Sequence, residues 1–255
     1  MLKGKWCLVT GAGRGIGRSI ALALAREGGS LALAARSRDQ LESVAEECRA
    51  AGAGQVEVHT ADLSDGKAVD ALAEGLVARH GGVAVLVNNA GIAGPGMSPL
   101  AGDPDEWEKL LMLNLMAAMR LTRRLAPGMV ERNEGTIINI SSILGLENDQ
   151  YSGVYSASKF GLRGWSLSCH ETLRRSNVKV VLINPGWTDT PLVWKIPGAV
   201  RADMITPEDV AEACLLALKT SSKCVPTEIT LRNALNCVSA LHDPTELLME
   251  RMASQ

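Results

Sequence analysis

Short apolar runs rich in β-branched residues alternate along the chain with longer segments rich in Ala and Leu. Most of these runs are apolar throughout instead of alternating with polar residues, which is typical of parallel strands buried on both faces. The alternation predicts an α/β fold: a doubly wound parallel sheet of about seven strands flanked by helices. The predicted strands span 6–10, 31–35, 56–60, 83–88, 136–140, 178–183 and 228–231.

The segments between the strands predict helices near 16–27, 38–51, 66–80, 104–131, 154–175 and 207–219. Two of them carry clear start signals, because Asp103 and Thr206 are good N-caps and each is followed by a proline at the first helical position. No linker, repeat or low-complexity stretch divides the chain. We therefore predict one domain over residues 1–255, with a short helical tail from about residue 243.

Composition argues against several classes of protein. The chain has 26 Lys and Arg against 28 Asp and Glu, a net charge of -2 that does not favour nucleic-acid binding. Its 6 cysteines form no CxxC pair and no Cys/His cluster, so neither a disulfide framework nor a metal site is predicted. No stretch approaches the ~18 apolar residues of a membrane span. We expect a cytoplasmic protein without membrane contact, or an organellar one if a transit peptide has been removed.

The first strand runs directly into the glycine-rich turn 10–17, TGAGRGIG, which opens the next helix. Glycines allow the backbone to approach a pyrophosphate, which then lies at the positive end of that helix. By itself such a turn can be a flexible loop, but its place between strand and helix favours a dinucleotide site. The candidate contacts are Gly11, Arg14, Gly15, Ile16 and Gly17.

The residues after the second strand discriminate between cofactors. An NAD site places an acid there for the ribose 2′-hydroxyl, whereas this chain has Arg36 and no acid until Asp39. A guanidinium can pair bidentately with a 2′-phosphate, so Arg36 favours NADP(H), with Arg14 as a second candidate. The alternative is two solvated surface arginines. Asp62, beside Leu63 after the third strand, is either a turn residue or an adenine contact.

A tyrosine and a lysine at helical spacing form the candidate catalytic pair. Tyr155 and Lys159 are four residues apart and share one helix face. A neighbouring ammonium should lower the phenol pKa from its usual value of about 10 and make the hydroxyl a usable general acid or base. Ser141 and Ser142 follow the fifth strand, where a hydroxyl can donate a hydrogen bond to a substrate carbonyl.

Together these motifs resemble the short-chain dehydrogenase/reductase family over about residues 5–190. The features that agree in order and spacing are the glycine-rich turn, the NNAG segment 88–91, Asn114, Ser142, the Tyr155/Lys159 pair and Pro185-Gly186. The resemblance implies a single-domain enzyme of the Rossmann-type fold with the strand order 3-2-1-4-5-6-7. Its expected cofactor is NADP(H).

The resemblance also implies roles for the catalytic residues. Tyr155 would exchange a proton with the carbonyl or alcohol oxygen. Ser142, chosen over Ser141 for its spacing to Tyr155, would orient the carbonyl. Lys159 would lower the Tyr155 pKa and bind the nicotinamide ribose. Asn114 would hold a water that links Lys159 to solvent, and the alternative for Asn114 is a satisfied buried amide.

Further contacts follow from the same resemblance. The adenosine ribose would lie against Asn89, Ala90 and Gly91. The loop after the sixth strand would grip the nicotinamide carboxamide through Pro185, Gly186, the backbone of Thr188 and the hydroxyl of Thr190. The substrate pocket is expected to be walled by residues 144–152, by residues 92–97 and by the segment after Thr190 that includes Leu192. Within and beside these walls, the candidate contacts are Leu144, Tyr151, Trp187 and Trp194.

These features predict an NADPH-dependent carbonyl reductase that transfers hydride between nicotinamide and a small-molecule carbonyl or secondary alcohol. One alternative is a 3-oxoacyl-[acyl-carrier-protein] reductase, although the glycine-rich ending of such enzymes is absent from residues 225–234. Another is a non-catalytic NADP(H)-binding sensor or scaffold. The resemblance further implies a homodimer or homotetramer formed through the helices near 104–131 and 154–175.

Overall fold

A computed structural model of the chain describes residues 1–93, 102–148, 152–194, 198–235 and 237. Its strands are β1 (Trp6–Thr10), β2 (Ser30–Ala35), β3 (Val56–Thr60), β4 (Val85–Asn88), β5 (Gly135–Ile140), β6 (Val178–Pro185) and β7 (Glu228–Leu231). They form one parallel sheet in the order β3-β2-β1-β4-β5-β6-β7, which confirms the expected order. Because β1 pairs with both β2 and β4, the winding direction reverses between β1 and β4.

Helices connect the strands as the sequence predicts. They are α1 (Gly15–Arg26), α2 (Arg38–Ala50), α3 (Gly66–His80), α4 (Pro104–Leu111), α5 (Ala117–Glu131), α6 (Gly153–Leu173) and α7 (Pro207–Lys219). The expected start signals are present as hydrogen bonds. The Asp103 carboxylate accepts from the Asp105 amide at 2.9 Å, and Thr206 and Asp209 form a reciprocal capping box. Both arrangements satisfy amides that have no partner within a helix.

The sheet is buried on both faces. Helices α1, α2 and α7 pack on one face, and α3, α5 and α6 pack on the other. Neighbouring residues of one strand serve opposite layers, since Leu8 packs with the second group of helices and Val9 with the first. This two-sided burial is the physical reason that the strands are apolar at nearly every position.

The long helix predicted over 104–131 differs from the structure at one place. A π-helical turn, Met112–Met116, separates α4 from α5, and its central residue Asn114 is buried. A π turn accommodates one extra residue in the helical ladder and rotates the following side chains. The apolar spacing on each side is preserved, so the sequence pattern does not reveal this turn.

No helix in the described part of the chain has the length and apolar character needed to cross a membrane. The helical tail expected from about residue 243 lies outside the described residues, as does Tyr151.

Candidate active site

A cavity of about 450 Å³ lies at the carboxyl ends of the strands. Residues that follow each of the first six strands line it, and it spans the point where the strand order reverses. In sheets of this kind, ligands bind in the crevice at that point. The volume is typical of small-molecule and cofactor sites.

The glycine-rich turn forms one wall of the cavity and depends on the absence of side chains. Gly11 has a φ of +63°, and a Cβ at that position would lie 2.8 Å from Asn89 Nδ2. A Cβ at Gly17 would lie only 2.2 Å from the carbonyl oxygen of Gly11. The first turn of α1 therefore packs against the chain that enters it, and this leaves its amides facing the cavity.

Gly17→Ala is expected to destabilise the protein by about 1–3 kcal/mol, because the new methyl group meets a backbone oxygen that has no room to move. Gly164 provides a matched control, since it is exposed on α6 and a Cβ there would meet nothing within 4 Å. Gly164→Ala should raise stability by roughly 0.5–1 kcal/mol through helix propensity. Urea denaturation measures the change in the free energy of unfolding for both variants. Changes of the same sign in the two variants would contradict the close approach at Gly17.

Thr10 fastens the glycine-rich turn to the end of β4. Its hydroxyl donates to the carbonyl of Val87 at 3.1 Å and accepts from the amides of Asn89 and Ala90 at 2.9 and 3.0 Å. The Asn89 side chain returns the contact by donating to the carbonyls of Thr10 and Gly11. The predicted contacts Asn89 and Ala90 thus lie against the predicted phosphate turn, and Thr10 is a site residue that the sequence analysis did not single out.

Two arginines face the same end of the cavity. Arg14 and Arg36 are exposed and line it, and neither guanidinium group makes a hydrogen bond or an ion pair with another described residue. Arg38, only two positions from Arg36, pairs with Glu42 at 3.2 Å and does not line the cavity. The guanidinium groups of Arg14 and Arg36 are therefore free to bind an anion in this part of the cavity.

Asp62 lies beside these arginines with Leu63. Its carboxylate accepts from the Ser64 amide at 3.0 Å and the Ser64 hydroxyl at 2.7 Å. These bonds, with a smaller contribution from the charge of Arg36, lower the pKa of Asp62. Asp62 is thus both a turn residue and part of the cavity wall, so the two alternatives for it are compatible.

Tyr155 and Lys159 lie at the other end of the cavity, one turn apart on α6. Lys159 Nζ lies 5.6 Å from the centroid of the Tyr155 ring and donates to the carbonyl of Ile140 at 3.0 Å. Ser142 follows β5 and is hydrogen-bonded to Tyr155. Its hydroxyl also accepts from the Leu144 amide at 3.2 Å. The structure therefore brings the three residues together, as the resemblance implies.

The electrostatics of this pair differ from the expectation of an acidified phenol. Burial raises the pKa of Tyr155 to about 12, and the hydrogen bond with Ser142 only partly opposes the effect. Burial also lowers the pKa of Lys159 to about 8. The lysine ammonium donates its hydrogen bond to the carbonyl of Ile140 and not to the phenol. Loss of hydration is therefore the largest influence on the pKa of Tyr155 in this structure. The net pKa shift of Tyr155 is upward, opposite to the predicted lowering.

Asn114 is held by three hydrogen bonds. Its Nδ2 donates to the carbonyl of Ile92 at 2.9 Å and to Ser158 Oγ at 3.2 Å, and its Oδ1 accepts from the Ile92 amide at 2.9 Å. This is the geometry of a satisfied buried amide. A Cβ at Gly91 would lie 3.2 Å from Asn114 Oδ1 and 3.7 Å from Lys159 Nζ, so Gly91 lies between these groups. The water-holding role of Asn114 stays a prediction.

The loop after β6 reaches the cavity through residues 190–192. Pro185 ends β6, and the Gly186 amide donates to the carbonyl of Leu231 at 2.8 Å. Thr188 is buried and bridges to Ile205, whereas Thr190 reaches the cavity wall with Pro191 and Leu192. Of the four predicted contacts in this loop, only Thr190 lines the cavity as described.

Comparison with known proteins identifies the family. The sequence profile described as short chain dehydrogenase matches residues 5–200 of the chain. The chain belongs to the short-chain dehydrogenase family. It is 36% identical over 233 residues to a sepiapterin reductase of Chlorobaculum tepidum, covering 88% of this chain and 94% of that protein. It is 29% identical over 237 residues to a 3-oxoacyl-[acyl-carrier-protein] reductase of Thermotoga maritima, covering 89% and 96%.

A solved structure is also similar. The crystal structure of a metagenomic short-chain oxidoreductase in complex with NADP has a TM-score of 0.80 and 38% sequence identity. The alignment covers 92% of this chain and 99% of that one. The chain is thus an oxidoreductase of the short-chain dehydrogenase family with the fold of its solved members.

The predicted substrate wall of this short-chain dehydrogenase is only partly in the described cavity, which Ile92 and Leu192 line. Leu144 lies in the turn after Ser142, and the backbone of Trp187 is hydrogen-bonded to the Asn233 side chain. Trp194 is half exposed and donates from Nε1 to Asp189 at 2.6 Å. Tyr151 lies outside the described residues. Conversely, the cavity includes Ser37, Gln40 and Leu113, to which the sequence analysis assigned no role.

The buried lysine predicts a pH-dependent stability. Because burial lowers the pKa of Lys159 from 10.5 to about 8, the unfolded chain holds a proton that the folded chain lacks between these values. The free energy of unfolding therefore rises with pH across this window. Lys159→Met should remove that rise and make the variant more stable than wild type at neutral pH. All other titrating groups are shared, so the difference between the two proteins isolates Lys159.

Urea denaturation of both proteins at about pH 7 and about pH 9.5 checks this, since the stability gap should narrow at the higher pH. A gap that stays constant or widens would show that Lys159 is not a poorly hydrated ammonium in the folded protein.

Proposed function

We propose that this oxidoreductase uses NADPH to reduce a carbonyl group of a small molecule to a secondary alcohol, and catalyses the reverse reaction with NADP⁺. The supporting observation is one cavity that combines two kinds of group. A glycine-rich turn lies at one end with two arginines that have no ion-pair partner among the described residues, and Tyr155 and Lys159 lie at the other. A binding scaffold needs only the first group, whereas proton transfer needs the second.

The residues present fit a dinucleotide with a 2′-phosphate. Gly17, without a Cβ, packs the first turn of α1 against the Gly11 carbonyl, and this turn lines the cavity, where its amides can bind a pyrophosphate. Arg14 and Arg36 line the cavity without an ion-pair partner among the described residues. Such guanidinium groups suit a phosphate dianion, and no acid occupies the position that would hold a ribose 2′-hydroxyl.

Three side chains of the protein take part in the proposed reaction. NADPH, when bound, supplies hydride to the carbonyl carbon. Tyr155 donates its phenolic proton to the carbonyl oxygen, and the Ser142 hydroxyl holds that oxygen in place by a hydrogen bond. Lys159 stabilises the phenolate that develops, because it is still mostly protonated at pH 7 with a pKa of about 8.

The protonation state of Tyr155 favours the reductive direction. With a pKa of about 12, the phenol holds its proton throughout the neutral range and is ready to act as an acid. The oxidative direction first requires removal of that proton. We therefore infer that reduction of the carbonyl is the faster reaction at neutral pH, and that oxidation of the alcohol gains at alkaline pH.

A substrate screen tests the proposed function. Purified protein is incubated with NADPH and, in turn, with aldehydes, ketones, a pterin ketone and 3-oxoacyl thioesters, and the NADPH absorbance is followed. Turnover of a free carbonyl compound supports the proposal. Turnover of thioesters alone would favour a carrier-protein reductase, as in the Thermotoga maritima relative. Tight NADPH binding without turnover of any carbonyl would favour a sensor or scaffold.

A further inference from the structure

Ser158 is a completely buried hydroxyl between the two residues of the catalytic pair. It donates to the carbonyl of Tyr155 at 2.6 Å and accepts from Asn114 Nδ2 at 3.2 Å. Both of its hydrogen-bonding functions are thus used, and they join two separate elements. One is the turn of α6 that carries Tyr155, and the other is the π turn that carries Asn114.

The amide of Asn114 extends this connection to the cavity wall. It holds both backbone groups of Ile92, accepting from the amide and donating to the carbonyl at 2.9 Å each. Ile92 and Gly91 belong to the segment after β4 and line the cavity near Lys159. A continuous set of hydrogen bonds therefore runs from Ile92 through Asn114 and Ser158 to the backbone of Tyr155.

We propose that Ser158 is a positioning residue that keeps the segment 90–92 and the π turn in register with Tyr155. The proposal rests on the proposed function, since the register matters for a reaction that Tyr155 carries out. Ser158 touches neither substrate nor cofactor in this role and acts through Asn114 and the α6 backbone. Its effect should fall on the reacting end of the cavity, while the end with Arg14 and Arg36 is left unchanged.

The orientation of the Asn114 amide shows why one hydroxyl can have this effect. If Ser158 Oγ is removed, one N–H of the buried amide loses its acceptor, and a buried donor without a partner is destabilising. The amide can recover that energy only by rotating or shifting, and either movement disturbs its paired bonds to Ile92. Asn114 lies at the centre of the π turn, where the backbone departs from regular α-helical geometry, so its side-chain bonds help to fix its position.

Ser156 provides the matched control. It lies two residues earlier on α6 and is also buried, but its hydroxyl has no hydrogen-bond partner among the described residues. Ser156→Ala and Ser158→Ala therefore delete the same atom from the same helix, and only Ser158→Ala breaks the connection. Ser158→Cys keeps the size of the side chain but weakens both bonds, which separates hydrogen bonding from packing.

The first measurement is amide hydrogen exchange of the protein without ligands. Faster exchange is expected in residues 90–93 and 112–116 of Ser158→Ala and Ser158→Cys, because the Ile92 amide loses a firmly held acceptor. Ser156→Ala should exchange as wild type does. Wild-type exchange in Ser158→Ala, or equal changes in Ser156→Ala and Ser158→Ala, would overturn the proposal.

The second measurement is steady-state kinetics with a substrate from the screen. Ser158→Ala should lower kcat by about tenfold, while KM for NADPH changes less than about twofold, because the effect is on alignment at the reacting end. Unchanged kcat despite faster exchange would also overturn the proposal. If wild type turns over no carbonyl compound, the proposed function fails by itself, and the exchange result alone then decides whether Ser158 holds this register.

Discussion

Replacing Tyr155 with Phe is expected to lower kcat for carbonyl reduction by about 10³-fold, because the variant has no proton to donate to the carbonyl oxygen. The effect should be this large because the phenol is the acid that the cavity holds next to Ser142 and Lys159. Stopped-flow or steady-state NADPH absorbance, with the best substrate of the screen, measures it. NADPH affinity, followed by protein fluorescence, should change less than about threefold, since the phenol oxygen contributes little to binding the distant phosphates.

The two readouts for Tyr155→Phe also define the contrary result. If kcat stays within about tenfold of wild type while NADPH still binds, a different group supplies the proton and the proposed mechanism is wrong. If both NADPH affinity and thermal stability collapse, the ring has a structural role instead. The site geometry predicts that Tyr155→Phe loses turnover with every carbonyl substrate and still binds NADPH normally.

Arg36→Asp is expected to raise KM for NADPH by about 10–100-fold and to leave KM for NADH unchanged or lower. A charge-assisted hydrogen bond contributes about 1.5–3 kcal/mol, and its loss accounts for a change of this size. The introduced carboxylate also repels a phosphate and can accept a hydrogen bond from the 2′-hydroxyl of NADH. The prediction depends on Arg36 lining the cavity without an ion-pair partner among the described residues.

Arg38→Asp is the control for this change, because Arg38 is exposed, pairs with Glu42 and does not line the cavity. It makes the same change in net charge only two positions away. Its KM values for both cofactors should therefore stay within about twofold of wild type, since a solvated charge outside the cavity is screened by salt. Equal rises in the NADPH and NADH KM of Arg36→Asp would contradict the assignment of the 2′-phosphate to Arg36.

Local patterns in the sequence are sufficient to predict most of the helices and strands and their order. Strands that are apolar at every position predict two-sided burial, and helix starts such as Asp103 and Thr206 depend on residues within one turn of each other. The position of the candidate site can be predicted from the sequence for a similar reason. A strand places its last residues at the edge of the sheet, so the residues after each strand, such as Arg36 and Asp62, meet at one cavity.

Features that depend on contacts between distant elements cannot be predicted from the sequence. The π turn around Asn114 leaves the apolar spacing of its helix intact, and its reason lies in Ile92 and Ser158, which are 22 and 44 residues away. Sequence patterns do not single out Thr10, because its hydroxyl bonds to residues 79 and 80 positions later in the chain. Neither relation leaves a periodic or compositional trace.

The sequence by itself determined the fold, the position of the cavity and the identity of the Tyr155/Lys159 pair, because each depends on order and spacing along the chain. Only the tertiary structure decided the electrostatics of that pair. Spacing places an ammonium beside a phenol and so predicts a lowered pKa, yet burial raises the pKa of Tyr155 to about 12 and lowers that of Lys159 to about 8. Hydration is lost through packing against the whole surrounding structure, and this loss is a property of the folded chain.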